Sequence, residues 1–134
     1  MVSPEEERAR GLGGRMETRE AILEFQYAEK MKSGLIIGTT LLDQMVSLKK
    51  EDELSGGKRV LVWYLEGLLR EIRIADNVLG SGRYADLERK VMEVIGRIHM
   101  SQFQEAQTSF SEAISLATTT CQAAMNFLLD RKLI

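Results

Sequence analysis

Apolar residues recur every three or four positions along most of this chain. On an α-helix of about 3.6 residues per turn such positions share one face. The pattern runs from about residue 17 to 50, 58 to 79, 84 to 99 and 101 to 129. The connections between these runs are short, which favours neighbours in sequence as neighbours in space. The sequence therefore predicts an all-α, single-domain fold, a four-helix antiparallel bundle.

The last run carries almost no charge on the side opposite its apolar stripe. That side holds only neutral polar residues, namely Gln104, Thr108, Ser111, Ser115, Thr119, Gln122 and Asn126. Solvated helix faces usually carry Lys, Arg and Glu instead. Beyond residue 115 the apolar arc also widens through Leu116, Ala123 and Phe127. The face is either an uncharged solvated surface or one covered by a second copy or a partner, and we favour the covered face.

The helix predicted over residues 58–79 has apolar residues on two sides. Its back brings together Trp63, Gly67, Arg70 and Ile74, with Val60 and Val78 at the margin. Trp and Arg are enriched among the residues that dominate interface energies. The alternative is that Trp63 fills the core of a bundle in which this helix is central. Under either interpretation we expect the helix to be largely buried.

The run over residues 17–50 repeats close to every 3.5 residues, which would keep a long helix against one neighbour. At Ser33 and Gly34 the helix either restarts or runs through, using Gly34 and Gly38 for close packing. Leu35, Ile36 and Ile37 point in different directions on a helix. We therefore expect this element to be covered on more than one side.

The first 15 residues stand apart because glycines occupy positions 11, 13 and 14. Ser3 and Pro4, followed by acidic residues, make a good helix start. The glycines are expected to stop that helix within two turns. We therefore divide the chain into an N-terminal arm at 1–15, a short helix or a flexible segment, and a helical bundle domain at 16–134.

Three short segments separate the predicted helices, and the first two of them contain glycines. The connection over residues 49–58 includes a candidate anion site made of Gly56, Gly57, Lys58 and Arg59, for which the alternative is a capped turn with solvated charges. Residues 80–82 end the next helix. We favour a further break near residues 100–101, where Ser101 and Gln104 resemble a capping box.

Composition and charge exclude several classes of protein. The chain has 134 residues, 44% of them hydrophobic and 28% charged, with a net charge of −2 and one cysteine. No internal disulfide can form, and bulk charge does not favour nucleic-acid binding. No apolar stretch approaches the roughly 20 residues of a membrane span, and the N-terminus lacks a signal-peptide centre. We expect a soluble, cytoplasmic protein without membrane partners.

No set of residues supports catalysis or metal binding. A di-iron bundle needs Glu-x-x-His motifs on two helices, but the chain has one histidine, His99, preceded at three residues by Gly96. Cys121 lies on an apolar stripe, where a small buried hydrophobe is the ordinary interpretation. We predict no enzyme activity, no cofactor and no metal.

Three classes of function remain open. The first is a non-enzymatic interaction or scaffold protein that self-associates through apolar helix faces, with a homodimer as the expected state, or that binds another protein. The second is an accessory subunit of a nucleic-acid-handling complex, marked by salt-dependent binding. The third is a small-ligand binder with a pocket between helices.

Overall fold

Four helices make up the fold: α1 (Pro4–Val46), α2 (Glu51–Leu79), α3 (Ala85–His99) and α4 (Phe103–Asp130). The computed structural model describes the backbone of residues 4–80 and 82–133, and side chains from residue 18 onward apart from residues 81 and 134. Each helix packs against its neighbour in sequence, and α4 returns to pack along α1. The predicted all-α, four-helix antiparallel bundle is confirmed. Within the described residues, α1 and α3 lie on one diagonal and α2 and α4 on the other, without direct packing.

The core runs along the bundle axis and takes apolar side chains from all four helices. Phe110 is its largest fully buried side chain, and Leu35, Leu65 and Val91 bring the other three helices to the same interior. Each of these residues belongs to a stripe with three- and four-residue spacing. Burial of apolar surface at roughly 25 cal/mol per Å² therefore orients every helix.

The first helix is continuous where the sequence allowed or predicted a break. Its backbone is helical from Pro4 to Val46, so the expected stop at the glycines of positions 11–14 is not found. A glycine costs a helix about 1 kcal/mol relative to alanine but leaves its backbone hydrogen bonds intact. At Gly34, where we left both possibilities open, the helix runs through. Ser3 and the side chains up to residue 17 lie outside the described residues, so the division at residue 15 stays a prediction.

The second helix begins earlier than predicted, at Glu51 instead of near Lys58. Three consecutive acidic residues fill its first turn, where the helix dipole favours negative charge. A Cβ atom on Gly57 would lie 2.9 Å from Met45 Cγ, so the missing side chain lets α1 approach α2 closely. The predicted connection over residues 49–58 is therefore wrong, because Gly56 and Gly57 lie inside the helix.

Two short connections complete the fold. Gly80 and Gly82 adopt positive φ angles of 118° and 88°, which glycine tolerates. The predicted break between α3 and α4 is confirmed at residues 100–102. The capping box is wrong, because Gln102 is the N-cap residue and makes no side-chain cap bond. The Ser101 hydroxyl instead accepts a 2.9 Å hydrogen bond from Lys58 Nζ.

Candidate functional site

The outer face of α2 exposes several large apolar side chains. Trp63 is 60% exposed, Val60 58%, Val78 53% and Ile74 50%. The core side of the same helix carries Leu65 and other fully buried residues. The interpretation that Trp63 fills the core is therefore wrong. In the single chain α2 is buried on one side only, and the expectation that its second side is also covered stays a prediction. Because α2 sits at a corner of the bundle, its second apolar face points away from the other three helices.

A groove of about 740 Å³ lies beside Trp63, between α1 and α2. Its walls are mostly apolar, and the lining residues are Lys30, Ser33, Gly34, Ile37, Trp63, Tyr64, Gly67, Leu68 and Glu71. Glycine opens the groove at Gly67, where an added Cβ would meet only Arg70 Nη2, at 3.8 Å. Ile37, on the opposite wall, is 52% exposed. The groove is therefore an apolar depression next to a projecting tryptophan.

One hydrogen bond and one ion pair link the two walls of this groove. The Tyr64 hydroxyl donates to the Gly34 carbonyl oxygen at 2.6 Å, which ties α2 to α1 across its floor. Burial raises the pKa of Tyr64 above its ordinary value, which favours the protonated hydroxyl that donates this bond. Lys30 Nζ and Glu71 Oε2 pair at 3.0 Å at one end. The groove is thus held by contacts from both of its walls.

The same seam between α1 and α2 continues beyond the groove toward the connection between these helices. A second cavity of about 280 Å³ is lined by Leu41, Gln44, Met45, Leu48, Gly57, Val60 and Leu61. Leu41 is 37% exposed and Leu48 36%. Ile37 and Leu41 form a second apolar strip on α1, four residues apart, and Leu48 follows in the connection to α2. This α1 wall is not among the candidate residues, although the divergent directions of Leu35, Ile36 and Ile37 were the sequence signal for it.

Arg70 completes the exposed face of α2. Arg70 Nη2 lies 3.8 Å from where a Cβ atom on Gly67 would be. Among the described residues Arg70 takes part in no ion pair. The structure therefore brings together Trp63, Gly67, Arg70 and Ile74 on one exposed surface. We call this surface, with the adjoining groove, the α2 face.

The candidate residues on α4 lie elsewhere. Leu116 lines a cavity of about 400 Å³ beside Lys90 and Glu112, whereas Ala123 and Phe127 line one of about 200 Å³ beside Arg83. Since α2 and α4 are diagonal, these residues do not join the α2 face. The guanidinium of Arg131 lies 3.5 Å from the centroid of the Phe127 ring. The neutral face of α4 is exposed on the single chain, and its cover by a second copy or a partner stays a prediction.

The candidate anion site does not have the expected geometry. The N–H groups of Gly56 and Gly57 lie beyond the first four residues of α2, so they bond within the helix and cannot cradle an anion. Lys58 Nζ donates to Ser101 Oγ and, at 3.4 Å, to the His99 carbonyl oxygen. With Arg59 and the acidic Glu66 it lines a cavity of about 300 Å³. The cations thus have protein partners or acidic neighbours.

The cysteine of the chain has the environment of a structural residue and not of a reactive thiol. Cys121 is buried, and its thiol donates to Glu29 Oε2 at 3.2 Å. Burial, then the Glu29 carboxylate, raise the pKa of this thiol, so it is protonated at neutral pH. Among the residues that the structure describes, no three His, Cys, Asp or Glu side chains are close enough to hold a metal ion. No helix in the same residues is long and apolar enough to cross a membrane.

Comparison of the chain with protein-family models, with curated proteins and with solved structures finds no match.

Proposed function

We propose that this chain is a non-enzymatic interaction protein that works as a homodimer, with two copies meeting through their α2 faces. One observation carries the proposal: Val60, Trp63, Ile74 and Val78 are each at least half exposed along one side of one helix. Exposed apolar surface costs about 25 cal/mol per Å² in water. Large contiguous apolar patches on a protein surface are typical of interaction sites.

The α2 face has the size of a small specific interface. Its exposed apolar side chains run from Val60 to Val78, a length of roughly 27 Å at 1.5 Å per residue. With α1 alongside at an interaxial distance of roughly 10 Å, the two-helix face is about 20 Å wide. Two copies that cover roughly 540 Å² each bury about 1,100 Å² together, which is above the roughly 1,000 Å² expected of a specific interface.

The residue types on this surface also fit an interface. Trp63 and Arg70 lie two helical turns apart on it, with Gly67 between them, and these two residue types dominate binding energies when an interface covers them. The ion pair of Lys30 with Glu71 joins the two walls of the groove and adds a polar contact beside the apolar side chains.

The proposal is tested by the mass in solution of two matched variants, measured by light scattering across a concentration series. Trp63→Glu places a charge at the centre of the α2 face, and we expect it to convert the dimer into a folded monomer. Leu129→Glu is the control, because Leu129 is 48% exposed on α4, which does not pack against α2. It is expected to remain dimeric. Equal masses for the two variants would refute an interface centred on Trp63.

A further inference from the structure

We infer that the two α2 helices pack antiparallel, with Trp63 of each copy inserted over Gly67 of the other. The inference rests on the proposed self-association and adds to it the register of the interface. The Trp63 side chain projects from α2, and the surface at Gly67 is open on the same face of the same helix. In a twofold dimer each subunit presents the identical patch to the other, so a projecting group and the opening that receives it must both lie on that patch.

The projecting feature and the opening fit each other. Trp63 is 60% exposed, so its indole extends from the surface of the single chain. Gly67 lies one helical turn away and opens into the groove of about 740 Å³. A Cβ atom there would find only Arg70 Nη2 within 4 Å. A large aromatic group from outside can therefore approach the backbone of α2 at this point.

An antiparallel arrangement matches these features reciprocally. A twofold axis midway between residues 63 and 67 sets each Trp63 opposite Gly67 of the second copy. The same register sets Ile74 opposite Gly56, another position where an added Cβ would meet nothing within 4 Å. A large apolar side chain thus faces a glycine at both places. A parallel arrangement would set tryptophan against tryptophan and leave the glycine positions empty.

Arg70 supplies the polar contact in this arrangement. Its guanidinium lies beside the opening at Gly67 and, in the described residues, has no carboxylate partner. An indole that enters the opening comes to lie next to this cation, and a cation over a tryptophan ring is the strongest pairing of that type. The chain already forms such a contact between Arg131 and Phe127.

Tryptophan fluorescence reports the insertion directly, because Trp63 is the only tryptophan in the chain. The probe is a dilution series of the full chain, with emission and acrylamide quenching followed beside the mass. We expect the emission to shift to shorter wavelength and quenching to fall as the dimer forms. A dimer in which Trp63 stays open to acrylamide would overturn the inference while leaving self-association intact. A chain that stays monomeric would overturn both.

Complementation between two variants tests the reciprocal register. Trp63→Ala removes the projecting group and keeps the opening, whereas Gly67→Gln fills the opening and keeps the tryptophan. We expect each variant alone to dimerise at least about tenfold more weakly, as loss of a central interface residue does. Their mixture regains one insertion, so the heterodimer is expected to be tighter than either homodimer.

Gly96→Gln is the matched control, since Gly96 lies on α3 and an added Cβ there meets nothing within 4 Å. It is expected to dimerise like the wild type. Far-ultraviolet circular dichroism checks that each variant is folded, and glutamine is a better helix former than glycine. Two weakened variants that do not complement each other would exclude the antiparallel register.

Discussion

The ring of Phe110 lies so close to Gly38 that a Cβ atom on the glycine would fall 2.9 Å from Phe110 Cε1. Phe110 is fully buried, so the ring has little room to move. Gly38 is therefore required for the contact between α1 and α4.

Replacing Gly38 with alanine is expected to destabilise the fold. Overpacking a core typically costs roughly 1 to 3 kcal/mol, which exceeds the gain in helix propensity of about 1 kcal/mol. Urea unfolding followed by circular dichroism measures the change. Gly96→Ala is the control and is expected to stabilise the chain by roughly 0.5 to 1 kcal/mol, because its added Cβ meets nothing. Two equally stabilised variants would contradict the packing at Gly38.

Removal of the hydroxyl group is expected to change the free energy of unfolding in opposite directions at Tyr84 and at Tyr64. Tyr84 is 3% exposed, and its hydroxyl has no partner in the described structure. Tyr84→Phe is therefore expected to raise the free energy of unfolding by about 1 kcal/mol. Tyr64→Phe is expected to lower it by about 1 kcal/mol, because the bond to Gly34 is lost. If both substitutions destabilise the protein equally, the assignment of an unpartnered hydroxyl to Tyr84 is wrong.

The buried hydroxyl of Tyr84 is also expected to make the protein less stable at alkaline pH. Burial, then the negative charge of Glu24, raise the pKa of Tyr84 in the folded state. The unfolded chain releases this proton near pH 10, and the folded chain holds it to higher pH. The free energy of unfolding is therefore unaffected by this titration below about pH 10 and declines as the pH rises above that value. Tyr84→Phe is expected to flatten this decline in unfolding curves recorded between about pH 8 and 11.

Asp76 holds the connection between α2 and α3. Its carboxylate accepts hydrogen bonds from the backbone N–H groups of Tyr84, at 3.0 Å, and Gly82, at 3.1 Å. Asp76→Ala is expected to cost roughly 1 to 2 kcal/mol of stability. The neighbouring Asn77 is exposed and serves as a control, since Asn77→Ala is expected to change stability by less than about 0.5 kcal/mol. Similar losses in the two variants would argue against this role of the carboxylate.

The contribution of Asp76 to stability changes with pH in the opposite direction to that of Tyr84. The bonds from Tyr84 and then Gly82 lower the pKa of Asp76 in the folded state. Its contribution is complete above the unfolded pKa of about 3.9 and is lost as the pH falls through the lower folded value. Below about pH 4 the difference in stability between wild type and Asp76→Ala is therefore expected to shrink. A difference that stays constant down to pH 2 would contradict this linkage.

Periodicity was sufficient to predict the all-α fold class, because burial acts on helix faces that the sequence itself specifies. The start of α2 was missed because Gly56 and Gly57 resemble a connection. Their cost is offset by three acidic residues at the N-terminus and by the close approach of Met45 to Gly57.

The candidate site was only partly predictable for a different reason. A helix with two apolar faces can lie in the centre of a bundle, covered on both sides, or at a corner with one face exposed. The sequence does not distinguish these two positions. Trp63 is exposed because α2 packs only against α1 and α3, and its outer side, which carries Trp63, faces no other helix of the chain. The opposite wall of the groove, at Ile37, depends on the register between α1 and α2, which only the packed structure provides.

The most direct test of the central claim is sedimentation equilibrium of the wild-type chain over a wide concentration range. Self-association through the α2 face predicts a mass that approaches twice the 15.1 kDa of one chain as the concentration rises. The transition should move to higher concentration in Trp63→Ala. A wild-type mass that stays at 15.1 kDa up to high concentration would contradict the account.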